Sequence, residues 1–223
     1  MRRLIVFLLG IAVLAMGGLQ ERPRDPWVFR CVLDKQPRMV VVALHEHLWV
    51  AYDATTCTLY KAWDGDVKFQ GAVYDDIHGP QPESRGTTLL QSNDDKGWGL
   101  EDESGNFVPV TPVWRGYRFQ GDQVHLQFDL PFPDGSIARI REYPEVNQDE
   151  DGVIRLTRRF ECSGSTDGRS IMLNLPDDSK IEGEVRYFVN NSELKESERR
   201  IRLDSGSSVL LTMAFPRSTG DGQ

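Results

Sequence analysis

Turn signals recur so closely along this chain that helices have almost no room. Between residues 27 and 74 the backbone is punctuated at Asp34-Lys35-Gln36-Pro37, at His45-Glu46-His47 and at Asp64-Gly65-Asp66. Further on, Gly121-Asp122, Asp134-Gly135 and Asp151-Gly152 pair glycine with aspartate, the combination that tight hairpins favour because glycine tolerates positive φ. The runs between these turns are short and rich in β-branched and aromatic residues. One of them alternates cleanly. Val124, Leu126, Phe128 and Leu130 fall on one face, and His125, Gln127 and Asp129 on the other. That period of two describes a strand with one dry face and one wet face.

Strands are therefore expected over 28–33, 38–44, 48–53, 58–63 and 67–74, with long loops through 75–105 broken by one strand at 87–91. More are expected over 113–119, 124–130, 137–143, 153–162, 170–175, 180–189, 199–203 and 208–215. The charged stretch 192–200 has no apolar face and reads as a loop. This spacing predicts an all-β fold, an antiparallel β-sandwich or large double-sheet domain, preceded by an N-terminal signal helix. The expected organisation is a signal peptide at 1–17, a linker at 18–26, a single β domain at 27–216 and a disordered tail at 217–223.

Residues 1–17 set the compartment. Arg2 and Arg3 precede an apolar run from residue 4 to 15, and Ala15-Met16-Gly17 offers small residues at a cleavage site. The run is short of the ~20 residues of a comfortable membrane span. The alternative is an uncleaved anchor. Processing would leave a periplasmic or extracellular protein with no membrane span.

The formal charge is −8, from 26 basic and 34 acidic residues, and loss of Arg2 and Arg3 would take it to −10. Such a balance repels a phosphate backbone at long range, so nucleic acid is not an expected partner. Cys31, Cys57 and Cys162 are odd in number, so at least one thiol stays free unless it pairs between chains. Their spacing fits neither a zinc site nor a haem attachment site, and no cofactor is expected.

The densest group of unusual side chains lies between residues 48 and 82. Trp49, Tyr52, Lys61, Trp63, Tyr74 and His78 are the candidate ligand-binding residues. Aromatic platforms edged by polar groups suit sugar rings, whose C–H faces stack while their hydroxyls hydrogen-bond. Alternation limits the patch: Trp49 and Tyr52 fall on opposite faces unless a bulge intervenes. Lys61 and Trp63 share a face, with Tyr60 opposite. The competing reading is that the tryptophans are core. His78, in the stiff turn His78-Gly79-Pro80-Gln81-Pro82, could act as a general base beside a carboxylate. His45 and His47 lack a visible third ligand for a metal and mark a solvated turn. Glu142 and Glu161 are carboxylates in a region that could line a cleft. Asp149 to Gly152 has the charge of a calcium loop without its spacing.

The runs Asp25-Pro26-Trp27-Val28-Phe29-Arg30, Leu48-Trp49-Val50-Ala51-Tyr52-Asp53, Leu59-Tyr60-Lys61-Ala62-Trp63 and Gly71-Ala72-Val73-Tyr74, closed by His78-Gly79-Pro80-Gln81-Pro82, resemble a β domain of large secreted bacterial c-type cytochrome proteins. Those proteins join the domain to haem or sugar-dehydrogenase-like modules. The resemblance is clearest over 25–82 and weaker through 117–160. It implies a β domain in an exported context. It does not carry electron transfer over, because this chain has no haem motif. The expected function is an exported cell-envelope binding or accessory module for a carbohydrate or a partner protein. The alternatives are a sugar-active enzyme using His78 and a carboxylate, and a purely structural domain.

Overall fold

A computed structural model describes residues 25–92, 97–148, 153–164, 166, 168–175, 185–195 and 199–215. The expected signal peptide, the turn at 149–152 and the tail at 217–223 lie outside the described residues. Among those described, all regular structure is strand and every strand pairing is antiparallel. The fold is all-β and of the sandwich type that the turn spacing predicts.

Three sheets build it. The first is a meander in chain order: β1 (Trp27–Leu33), β2 (Gln36–Ala43), β3 (Leu48–Asp53), β4 (Thr58–Lys68) and β5 (Glu83–Gln91). The others interleave β6 (Trp98–Glu101), β7 (Phe107–Pro109), β8 (Val113–Gln120), β9 (Gln123–Pro131), β10 (Ile137–Gln148), β11 (Ile154–Gly164), β12 (Ile171–Asn174), β13 (Arg186–Val189), β14 (Ser192–Glu193), β15 (Arg200–Leu203) and β16 (Ser208–Phe215). A seven-stranded sheet runs β14-β13-β16-β11-β10-β9-β8, and a four-stranded sheet runs β15-β12-β6-β7.

The first sheet has two dry faces, which explains why its strands read as nearly continuous apolar runs. One face carries Val40, Val42, Val50, Tyr52 and Leu59 into the main core, against Leu126, Phe128, Ile140 and Phe160 of the seven-stranded sheet. Trp98 joins the three sheets. Its ring lies 5.0 Å from Phe128 and 5.9 Å from Phe160, and its Nε1–H donates to the Cys57 carbonyl at 2.9 Å. The other face forms a separate core around Cys31, Met39, Val41, Trp49, Ala51 and Trp63.

That second core is enclosed because the sheet coils until its two edges meet. The Asp34 carboxylate, just after β1, accepts from the Ser84 N–H of β5 at 2.8 Å and from the Ser84 hydroxyl at 2.7 Å. Residues 69–82 run along the open edge of β1, where Val32 N–H donates to the Val73 carbonyl at 2.8 Å and Asp34 N–H to the Pro82 carbonyl at 3.1 Å.

The strand expectations need correction at this point. β4 does not end at Asp64-Gly65-Asp66. It continues to Lys68, because Gly65 lies opposite Gly86 of β5 and two residues without side chains let the strands cross closely. Residues 69–82 are accordingly not a strand, and β5 begins at Glu83 rather than 87. The short β6 and β14 lie where loops were expected, and β7 falls between expected elements.

Candidate functional site

The six residues singled out between 48 and 82 do not form one surface. Trp49 and Trp63 are cross-strand partners on the inner face of the coiled sheet, only 2% and 1% exposed. Their rings stack 6.1 Å apart at 11°, and each indole N–H is satisfied at 3.0 Å, Trp49 by the Gly65 carbonyl and Trp63 by the Asp66 carbonyl. A buried, hydrogen-bonded pair of this kind is core. Lys61 closes the sheet: its Nζ donates to Asp34 at 3.3 Å and to Ser84 Oγ at 2.7 Å. A register shift between Ala51 and Tyr52 leaves Tyr60 with no directly opposite partner, and Tyr60 joins the same core as Trp63 rather than lying opposite it.

Tyr52 points into the main core, as strict alternation requires. Its hydroxyl donates to Glu142 Oε1 at 2.6 Å, and Arg158 grips the same carboxylate through Nε at 2.6 Å and Nη2 at 3.0 Å. Glu142 and Arg158 are 0% and 1% exposed, so this is a dry, self-satisfied triad rather than a cleft carboxylate awaiting substrate. Burial and the adjacent Glu142 push the Tyr52 phenol well above its usual range.

Tyr74 and His78 lie on the 69–82 segment and face solvent. The His78 side chain is 79% exposed, with Nδ1 3.7 Å from Asp75. This pair sits on the 69–82 loop, where Tyr74 is 66% exposed. His47 is likewise exposed, 4.0 Å from Glu46. The three cysteines are free and buried, and burial pushes Cys31 up to about 12 and Cys162 up to about 11, so they are poor nucleophiles.

The structure instead assembles a charged surface on the outer face of the seven-stranded sheet. Registers across β8 to β11 put Arg118 opposite His125, Asp129 opposite Arg139, Gln127 opposite Arg141, Arg141 opposite Glu161, and Tyr143 opposite Arg159. Six arginines (115, 118, 139, 141, 155 and 159) share this face with three carboxylates (129, 145 and 161). Asp129 is clamped from both sides, by Arg115 at 2.8 Å and Arg139 at 3.1 Å. Glu161 takes Arg159, Arg141 at 4.0 Å and the Tyr143 hydroxyl at 3.0 Å. Arg159 also lies over the Tyr143 ring, 3.8 Å from its centroid. Among the described residues of this face the arginines outnumber the carboxylates, and Glu145 accepts from Gln123 Nε2 at 2.7 Å rather than from an arginine.

His125 lies near the start of β9, one strand in from the edge of this sheet, and is 7% exposed. Gln127 Nε2–H donates to His125 Nε2 at 3.1 Å, which puts the imidazole proton on Nδ1. Nδ1 is buried and has no acceptor among the described residues. Burial, with Arg141 and Arg118 nearby, holds this histidine below its usual pKa and keeps it neutral. The result is an unsatisfied donor flanked by guanidinium groups, an arrangement suited to an oxyanion.

In the sequence, alternation marks His125 and Asp129 only as a wet face. The missed signal was arginine at alternate positions, in Ile137-Ala138-Arg139-Ile140-Arg141 and again at Arg155 and Arg159. The overall charge of −8 hides it. No family model matches the chain, and no curated protein matches it significantly.

Proposed function

We propose that this chain is an exported, non-catalytic binding module and that the outer face of its seven-stranded sheet holds an acidic polysaccharide. The observation that carries the reading is the excess of arginine over carboxylate among the described residues of this face, with Arg118 and Arg141 on either side of His125. A seven-stranded sheet offers a broad face for an extended polymer. Planar guanidinium forks match carboxylates two hydrogen bonds at a time. The signal-like first 17 residues and the resemblance of residues 25–82 to a β domain of secreted proteins support an envelope setting.

The test is calorimetric titration with polygalacturonate, with a neutral glucan and duplex DNA as controls. Polygalacturonate is expected to bind and the glucan not. The double substitution Arg118→Glu with Arg141→Glu should weaken binding by roughly tenfold or more, about 1.4 kcal/mol. Equal binding of DNA and polygalacturonate would reduce the face to a general polyanion attractor and sink the carbohydrate reading.

A second reading, docking of an envelope protein, rests on the 69–82 segment, where Tyr74 and Ile77 are 66% and 80% exposed. Isolated apolar side chains at a loop tip have weaker warrant than a charged, orphan-bearing face.

A further inference from the structure

A concavity is lined by none of these residues. It is a cleft of about 520 Å³ between the β6–β7 hairpin with the residues following it and the β9–β10 turn. That volume falls inside the range of small-ligand sites, roughly 300–1,000 Å³. Leu100, Val108, Val110, Pro131 and Phe132 make its wall mainly apolar, and Val108 is 45% exposed there. Glu101, Asp102 and Glu103 line one side and Arg169 another.

The charges leave a definite remainder. Arg169 pairs through Nη2 with Asp134, and its guanidinium carbon lies 5.8 Å from the Phe132 ring centroid. Glu101 pairs with Arg202 at 3.4 Å. Both cations are therefore already compensated. Asp102 accepts from Ser104 N–H, Asn106 N–H and Asn106 Nδ2, at 2.9, 2.7 and 3.1 Å, but no cation meets it among the described residues. Glu103 has no ion-pair partner among them either. The cleft is thus net acidic. Among the described residues, the buried Arg169 Nε–H meets no acceptor. Because Asp134 already balances the Arg169 charge, the acceptor that fits Nε–H is a neutral carbonyl rather than a second anion.

We propose that this cleft binds an extended peptide segment in which an apolar residue adjoins a basic one. The apolar side chain packs on Leu100, Val108 and Phe132. A backbone carbonyl accepts from Arg169 Nε–H, and the basic side chain meets Glu103 and Asp102. The site is independent of the arginine face, and loss of polysaccharide binding would leave it standing.

Amide chemical-shift titration of the isotope-labelled chain tests it, using acetyl-Leu-Lys-Leu-Lys-amide, acetyl-Leu-Glu-Leu-Glu-amide and hexylammonium as probes. The lysine peptide should shift amides of residues 100–111 and Arg169, and the glutamate peptide should bind at least roughly tenfold more weakly. Glu103→Lys should abolish the preference between the peptides. Arg169→Lys, which removes the Nε–H, should weaken the lysine peptide and leave hexylammonium unchanged. Val108→Asp, at a position 45% exposed, should block the lysine peptide. Equal binding of the two peptides, shifts confined to other regions, or no shift with the lysine peptide would each overturn the proposal. So would hexylammonium binding as tightly as the lysine peptide, since the carbonyl would then contribute nothing.

Discussion

At the scale of single residues, the two most informative groups are charged or titratable side chains out of water. Glu142 and Arg158 occupy inward positions in the registers Ala138, Ile140, Glu142 and Leu156, Arg158, Phe160. Each lies in the main core beside Tyr52, and each needs the other. Removing one partner strands a buried charge, so Glu142→Gln or Arg158→Met alone should cost about 3–5 kcal/mol in urea unfolding. Replacing both with apolar residues of similar volume should cost much less. This pairing was legible in principle: two opposite charges on the dry faces of consecutive strands must meet. Glu142 is a buried core residue rather than the cleft carboxylate expected, because the alternation visible in β9 carries across to β10 and turns it inward. His125 gives a prediction of opposite character. Its pKa is lowered in the folded state, so the folded chain resists a proton that the unfolded chain accepts. Its neutral form adds no pH dependence well above about 6.5. Below that, stability falls as the unfolded state protonates, and the loss continues down to the folded pKa. His125→Gln should flatten the slope of unfolding free energy against pH in that window. An unchanged slope would show that His125 is not desolvated in the way its burial implies.

At the scale of elements, turns were the most legible feature and crossings the least. The hairpins at Gly121 and Gly135 lie where the glycine and aspartate pairs put them. Asp64-Gly65-Asp66 has the same composition but runs through the middle of β4, because its glycine answers a distant glycine rather than a local reversal. A Cβ on Gly65 would lie 2.0 Å from the Arg85 carbonyl oxygen, and one on Gly86 would lie 2.1 Å from that of Asp64. Backbone on both sides cannot give way as a flexible side chain would. Gly65→Ala should therefore destabilise by at least about 2 kcal/mol, above the level of ordinary backbone strain. Amide exchange should show the loss concentrated in β4 and β5. The aromatic cluster makes the same point about range. Trp49, Tyr60 and Trp63 were visible as a group, but whether they faced ligand or core depended on the coiling of the first sheet. That coiling is fixed by Asp34 and Ser84, which are fifty residues apart and carry no local signal. Trp63→Ala should accordingly cost about 3–5 kcal/mol, as expected for a buried ring, and leave polygalacturonate affinity per folded molecule unchanged.

At the scale of the whole molecule, the decisive property is that charge is segregated. The chain is acidic in sum, yet the outer face across β8 to β11 carries twice as many arginines as carboxylates. Composition therefore points one way at long range and the sheet points the other way at contact. A polyanion approaching at low ionic strength meets both the repulsion of the whole surface and the attraction of one face. Salt acts on these unequally. The Debye length falls from roughly 10 Å at 0.1 M to about 3 Å at 1 M, so repulsion from distant carboxylates is screened before arginine contacts at hydrogen-bond distance. Polygalacturonate affinity should thus rise or hold steady as salt is first increased from a very low level, and fall only at higher salt. A uniformly basic binder would instead lose affinity from the start. The double substitution Arg118→Glu with Arg141→Glu removes the local attraction, and its residual binding should rise monotonically with salt or be absent throughout. Titrations across an ionic-strength series decide the matter. A steep monotonic fall for the unsubstituted chain would mean that the arginine face dominates at all distances and that the surrounding acidic surface does not oppose the ligand.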